Sequence, residues 1–131
     1  MKPAKHLLQP EDLLHFIELE GFSDDWNDLG LDADQDLLAL QMLIMSGGKN
    51  APVVAGTGGL RKLRFAPPRW GSGKSGGVRV GFSYFPQYGI ILLILAYRKN
   101  ERDDLSDAAK AQIKKLIAAA ERELHRRKRM D

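Results

Sequence analysis

The sequence predicts an α+β fold, a small, mostly antiparallel sheet with two N-terminal helices and a C-terminal helix packed against one face of it. Three observations lead to this expectation. The 131 residues leave room for one domain with one core. Three strand-like runs follow one another through short connections, which favours antiparallel pairing. Helical spacing of apolar residues occurs before and after those runs, so the expected order is strand, helix, helix, three strands, helix.

The chain divides into a leader, one domain and a short tail. Residues 1–12 contain two prolines and no periodic pattern, so we expect a loose leader before a domain at 13–125. The segment 126–131 is predicted to be a basic tail at the frayed end of the last helix. Inside the domain, alternation of apolar residues in Leu13–Leu19 predicts the first strand. The acidic stretch after Gly21 predicts a short helix or helical turn.

The second helix has a recognisable start and end. Asp32 followed by Gln35 has the spacing of a capping box and predicts the helix N-terminus. Gly47 and Gly48 predict its end. The apolar stripe that should face the core consists of Leu37, Leu40 and Ile44.

Three strands and a helix complete the domain. The strand-like runs are 60–65, 78–84 and 89–97, with a hairpin connection at 85–88. The last run is apolar on both sides, which predicts a place in the middle of the sheet. Ser106 is expected to cap the final helix. Its core-facing stripe is predicted to be Ala109, Ile113, Leu116, Ile117, Ala120 and Leu124.

Charge is strongly segregated along the chain. Residues 1–50 carry three lysines and ten acids, a net charge of −7, whereas residues 51–131 carry 17 bases and seven acids, a net charge of +10. Residues 51–100 contain eight bases and no acid. Solubility alone is better served by mixed signs. The segregation therefore indicates a polyanionic partner, nucleic acid before an acidic protein or a membrane surface.

Other classes of protein fit the sequence poorly. There is no cysteine, which excludes disulfides and thiolate metal sites and suits a reducing, cytoplasmic setting. The first residues lack the pattern of a secretory signal. The longest apolar run, Ile90–Ala96, is far shorter than the roughly 20 residues that cross a bilayer, so no membrane partner is expected. The histidines are too scattered for a metal site, and no cofactor is expected.

Alternation predicts a basic sheet face. Lys62 and Arg64 should point away from the core residues of their strand, and Arg79 should do the same in the next strand. Lys99 should lie at the edge of this face. An ordinary solvated face is the plain alternative. The absence of a nearby acid in the sequence favours a cluster kept for a ligand.

Three segments carry a family resemblance. They are Gly56-Thr57-Gly58-Gly59-Leu60-Arg61-Lys62-Leu63-Arg64, Gly76-Gly77-Val78-Arg79, and Tyr97-Arg98-Lys99-Asn100-Glu101-Arg102-Asp103-Asp104-Leu105-Ser106. In this order and spacing the chain resembles the HigB branch of the RelE toxin superfamily over about residues 14–120. The resemblance implies a RelE-like fold and ribosome-dependent cleavage of mRNA as an mRNA interferase. It also implies silencing by a cognate antitoxin, typically a helix-turn-helix DNA-binding protein, in a type II toxin–antitoxin system.

The resemblance also implies which residues act. Basic residues of the sheet are the catalytic groups of this family, which match here at Lys62, Arg64, Arg79 and, more faintly, Lys99. From the chemistry alone, arginines suit the stabilisation of phosphorane oxygens, and Lys62 is the candidate base because neighbouring cations favour its neutral form. Arg79 or Lys99 would protonate the leaving oxygen. Further contacts with RNA or the ribosome are expected from Arg61, Arg69, Lys74, Arg98 and Arg102.

Two other functions remain open from the sequence. A non-catalytic RNA- or ribosome-binding module would use the same basic face. A nucleotide-binding protein would use the segment Gly71-Ser72-Gly73-Lys74-Ser75. A phosphate loop, however, needs glycine where Pro68 stands and a helix immediately after the lysine, whereas a strand is predicted there.

Overall fold

The chain forms strands and helices in the predicted order. The computed structural model describes residues 8–70, 77–98 and 105–130, and all statements below concern that part of the chain. The strands there are β1 (His15–Glu18), β2 (Arg61–Phe65), β3 (Val78–Phe85) and β4 (Ile90–Arg98). The α-helices there are α1 (Glu20–Asp28), α2 (Gln35–Met45) and α3 (Asp107–Met130).

The four strands form one mostly antiparallel sheet in the order β1-β4-β3-β2. β3 pairs antiparallel with both β2 and β4, and β1 pairs parallel with the first half of β4. β4 is therefore an inner strand, and Ile91–Ile94 are all buried. This confirms the central position expected for the run that is apolar on both sides. Tyr88 N donates to Phe85 O over 3.1 Å and closes the hairpin between β3 and β4.

Helices cover both faces of the sheet, so the expectation that they pack on one face is wrong. α1 and α2 bury Phe22, Trp26 and Leu40 against one face. α3 buries Ile113 and Ile117 against the other. The cause lies in β4, whose apolar side chains alternate between the two faces and therefore need cover on each. The sheet residues on the α1/α2 face include Phe65, Val78, Val80, Phe82, Ile91 and Leu93. Those on the α3 face include Phe85, Leu92 and Ile94.

The start of α2 uses a different capping partner from the one predicted. Asp32 Oδ1 accepts hydrogen bonds from the backbone N–H groups of Asp34 (3.0 Å) and Asp36 (2.9 Å). Asp36 Oδ2 accepts in return from Asp32 N at 2.9 Å. Asp36 therefore takes the role that was predicted for Gln35, which is instead the first residue of the helix. The stripe of Leu37, Leu40 and Ile44 is buried as predicted.

Residues 10–12 and 126–130, which lie toward the two ends of the described part of the chain, have regular structure. Pro10–Asp12, inside the expected leader, forms a 3-10 turn. Lys49 holds this turn, since its Nζ lies 3.6 Å from Asp12 Oδ1. Ser106 Oγ accepts from Ala109 N at 3.1 Å and caps α3 as predicted. α3 then continues through Met130, so the segment expected to be a frayed tail is helical as far as it is described. Leu116 is 36% exposed and is not a core residue. None of the described helices combines the length and apolar character that a membrane span requires.

Candidate nucleic-acid interface

Side-chain alternation in two neighbouring strands places three bases on the same face of the sheet. Leu63 in β2 and Val80 in β3 pack toward α1 and α2. Lys62, Arg64 and Arg79 therefore point to the opposite face. Arg64 and Arg79 are direct partners in the strand register. The Cβ atoms of such partners lie about 4.5–5.5 Å apart, so the two arginine side chains leave the sheet next to each other. We call Lys62, Arg64 and Arg79 the basic cluster.

The basic cluster lies beside the part of the face that α3 covers. Lys62 pairs with Gly81 in the register, and Leu60, two residues before Lys62, is buried beneath α3. A Cβ at Gly81 would lie 3.1–3.2 Å from the side chains of Leu95 and Leu60. The sheet surface next to Lys62 is therefore closely packed with backbone and apolar side chains. Arg64 is exposed, and Lys62 is half-buried. Arg64 is thus the most exposed member of the cluster, since Arg79 is also half-buried.

The turn before β2 is held by its own hydrogen bonds and by α3. Thr57 Oγ1 donates to Val54 O at 2.6 Å and accepts from Leu60 N at 3.0 Å. Gly58 has φ +72°, and a Cβ there would lie 3.0 Å from Lys114 Cγ of α3. The threonine and this glycine of the first family-like segment thus have a structural role. They fix where β2 begins and hence which face Lys62 occupies.

Electrostatic neutralisation of the basic cluster is incomplete. Within the described ranges, no carboxylate oxygen lies within 4.0 Å of Lys62 Nζ or of the Arg64 guanidinium. Arg64 also faces a second arginine across the strand pair. Like charges placed opposite each other in a sheet are destabilising. An anion that binds Lys62 and Arg64 would displace no described ion pair.

Tyr97 belongs to the same surface and was missed by the sequence analysis. It is the register partner of Arg79 on β4, and its ring centroid lies 6.0 Å from Lys62 Nζ. A bulge between Gly81 and Phe82 shifts the register of β3 and β4 by one residue. Simple alternation along an all-apolar run could not reveal this shift. The signal available in the sequence was only a polar aromatic residue at the end of that run.

Arg69, which the sequence analysis expected to bind RNA, is hydrogen-bonded to Asp36 at the start of α2. Its Nε donates to both carboxylate oxygens of Asp36 at 3.1 Å, and its Nη2 donates to Asp36 Oδ2 at 2.7 Å. Nη2 also donates to Gly30 O at 2.8 Å. Hydrogen bonds from Arg69, assisted by the one from Asp32 N, hold the pKa of Asp36 below its usual value against the effect of burial. The same pair raises the pKa of Arg69. The Arg69 guanidinium is thus hydrogen-bonded to α2 and to the carbonyl oxygen of Gly30.

Two other predicted RNA-binding residues lie away from the cluster. Arg61 alternates to the opposite face from Lys62, and its Nη1 donates to Ala51 O at 2.6 Å. Arg98 follows Tyr97 and also points to the α1/α2 side, where its guanidinium lies 5.8 Å from the Trp70 ring centroid. The structure therefore separates both arginines from the basic cluster.

Three predicted residues lie outside the described residues. They are Lys99, expected to be catalytic, and Lys74 and Arg102, expected to bind RNA. The described ranges contain no group of three or more histidine, cysteine or acidic side chains that could hold a metal ion.

Comparison with known proteins shows a likeness in structure. No family model matches the chain. Among solved structures, the chain is similar to the E. coli toxin RelE. That structure is a double arginine-to-alanine mutant of RelE in the free state, and it matches with a TM-score of 0.48 at 12% sequence identity. The match covers 70% of this chain and 88% of the RelE chain. What this chain does must therefore be argued from its own site.

Proposed function

We propose that this chain is an endoribonuclease toxin of the RelE/HigB kind, which cleaves mRNA on the ribosome without a metal ion. The observation that carries the proposal is the convergence of Lys62, Arg64 and Arg79 on one face, with no described carboxylate paired to Lys62 or Arg64. The three family-like segments in the sequence support the same proposal, because two of them supply these bases.

The two arginines suit the charged part of the reaction. When the 2′-hydroxyl attacks the adjacent phosphorus, negative charge builds on the phosphorane oxygens. Arg64 and Arg79 are permanently charged and donate in a planar fork that matches phosphate. Their direct pairing across β2 and β3 lets both approach one phosphate. Preorganised donors of this kind typically account for a factor of about 10² to 10³ in rate each.

Lys62 is the proposed base for the 2′-hydroxyl. It lies on the same face as the two arginines, and it is half-buried. Its Nζ is 6.0 Å from the centre of the Tyr97 ring, which limits where the amine can go. Protonation of the leaving 5′-oxygen is assigned to Lys99, because a guanidinium that stays charged does not give up a proton.

The ribosome and an antitoxin are the proposed partners. Positioning supplies a large share of the rate when the acid–base groups themselves are weak, so a site built from lysine and arginine depends on a scaffold that aligns the RNA. The ribosome provides that scaffold for mRNA in this proposal. A cognate helix-turn-helix antitoxin would silence the toxin by covering part of the basic cluster or by blocking docking.

The test is cleavage of mRNA in a reconstituted translation system, with and without ribosomes. We expect cutting only with ribosomes, in the presence of a chelator, and loss of cutting when the 2′-oxygen at the cleaved position is removed. The double variant Lys62→Ala/Arg64→Ala should be inactive. The matched control, Lys114→Ala/Lys128→Ala, loses the same charge from exposed positions on α3 and should remain active. Cutting that survives 2′-deoxy substitution would disprove the mechanism.

A non-catalytic RNA- or ribosome-binding module is the second candidate. It is favoured by one observation: in the described part of the chain, neither Lys62 nor Arg64 is hydrogen-bonded to an imidazole or a carboxylate, the usual acid–base groups. Such a module would bind RNA through the basic cluster, and the bound RNA would stay intact in the same assay.

A further inference from the structure

The solvent-facing side of α3 is a second basic surface, on the side of the helix that is turned away from the sheet. Ile113 and Ile117 mark the side of α3 that is buried against the sheet. Because an α-helix has 3.6 residues per turn, the residues on its opposite side recur every three or four positions along the chain. These residues are Ala111, Lys115, Ala118, Arg122, Arg126 and Arg129, which we call the outer face of α3.

The outer face has bases and alanines but no acid. All four bases are exposed. From Lys115 to Arg129 the stripe extends about 21 Å at 1.5 Å per residue. The alanines keep the surface between the bases low, so that the helix can lie close to a partner.

The stripe differs from an ordinary solvated helix face in its charges. Such faces usually alternate acids and bases so that residues three or four apart attract each other. That pattern occurs at the edge of the stripe, where Glu123 pairs with Arg126, but Lys115, Arg122 and Arg129 have no acid within the stripe. The dipole of the helix favours bases only in its last turn. It accounts for Arg129 but not for Lys115 or Arg122, which lie two or more turns earlier.

The acids of the helix lie beside this face and neutralise only part of it. Glu123 is the only acid of α3 with a described ion pair, and it binds Arg126 (2.6 Å) and Arg127 (2.9 Å) at the edge of the face. Lys115, Arg122 and Arg129 have no described ion pair.

We infer that the outer face of α3 binds the phosphate backbone of folded, double-helical RNA, at a site separate from the RNA strand that the basic cluster contacts. Double-helical RNA is recognised mainly through phosphates and its shallow groove, which a straight row of bases on a low surface fits. This inference rests on the proposed function for its choice of RNA over other polyanions. It adds a docking surface for structured RNA, such as that of a ribosome, to the cleavage site.

The experiment measures binding of a blunt-ended RNA duplex across a series of salt concentrations. All proteins carry Lys62→Ala/Arg64→Ala, so that neither cleavage nor the basic cluster contributes. Arg122→Glu/Arg129→Glu is compared with Lys114→Glu/Lys128→Glu, which makes the same change of charge on the flanks of the same helix. Circular dichroism checks that both proteins keep their helix content.

We expect the outer-face variant to lose most of its duplex affinity. Each lost phosphate contact lowers the slope of log K against log salt by roughly 0.9, so the slope should fall by about 2. The flank variant should keep the slope of its parent. Equal slopes in the two variants would overturn the inference, because only net charge would then matter.

A protein partner would give another result. If the outer-face variant kept its affinity for the duplex but lost binding to polyglutamate, the face would be a site for an acidic protein and the inference would be wrong. The proposed cleavage function is tested separately, since it depends on the activity of protein with Lys62 and Arg64 intact.

Discussion

Replacing Asp36 with alanine tests whether the contact between α2 and Arg69 is structural. The Asp36 side chain is almost fully buried and accepts hydrogen bonds from Asp32 N and from two nitrogens of Arg69. Loss of the bond at the helix N-terminus costs about 1 kcal/mol. Loss of the charged contact costs about 1–2 kcal/mol, at the lower end for charged pairs because the Arg69 side chain is 50% exposed and can return to water.

The expected total is therefore a decrease of about 2–3 kcal/mol in the free energy of unfolding. For a chain of this length it corresponds to a fall in Tm of roughly 8–12 °C. Urea unfolding and a thermal scan measure both quantities. The matched control is Asp34→Ala, which removes an exposed carboxylate from the same turn and should change stability little. A loss for Asp36→Ala no larger than that of the control would refute the structural role assigned to Arg69.

The same pair makes the stability dependent on pH in a defined direction. The pKa of Asp36 in the folded protein is lowered from 3.8, chiefly by its hydrogen bonds with Arg69. A lowered pKa means that the stabilisation is complete above about 3.8 and is lost as the pH falls through the lower folded value. The difference in stability between the wild type and Asp36→Ala should be constant near neutral pH and shrink only in acid. A difference that shrinks already between neutral pH and 5 would contradict this origin.

Two further predictions concern a strand start and the edge of α3. Gly77→Ala should lower the stability by about 1–3 kcal/mol in urea unfolding, because Gly77 has φ +53° and a Cβ there would lie 2.5 Å from Phe65 O. Unchanged stability would contradict this close approach of Gly77 to the end of β2. Glu123→Gln should increase the affinity for an RNA duplex at low salt, because it releases Arg126 and Arg127, whose hydrogen bonds lower the pKa of Glu123 to about 2. Affinity that stays the same in a filter-binding titration would argue against RNA contact by this face.

The fold was predictable because local patterns and tertiary packing agree. Ser106 caps α3, Leu37, Leu40 and Ile44 face the core, and the run in β4 is central, all as expected from spacing. The expectation that all helices pack on one face was wrong because the apolar character of β4 was used only to predict a central position in the sheet. A strand that is apolar on both sides also requires a covering layer on each side, which here is α3 on one and the N-terminal helices on the other.

The candidate site was predictable only where strand alternation decides it. Alternation alone placed Lys62, Arg64 and Arg79 on a common side. It could not show that Asp36, 33 residues earlier in the chain, binds Arg69. Counting acids within a local stretch of sequence therefore overestimates how many bases are available to a ligand.

The position of Tyr97 was also not predictable from the sequence. Its place opposite Arg79 depends on a bulge in the pairing of β3 and β4. A bulge is set by how two strands pair, and neither strand alone specifies it.

The rate of mRNA cleavage on the ribosome by Lys62→Ala/Arg64→Ala tests the central claim most directly. Under single-turnover conditions, removal of the proposed base and of one phosphate-binding arginine should slow cutting by at least about 10²-fold, the typical loss for one preorganised donor. Lys114→Ala/Lys128→Ala should cut within a few-fold of the wild type. Cutting by the Lys62/Arg64 variant at the wild-type rate would contradict the account, because the basic cluster would then take no part in the chemistry.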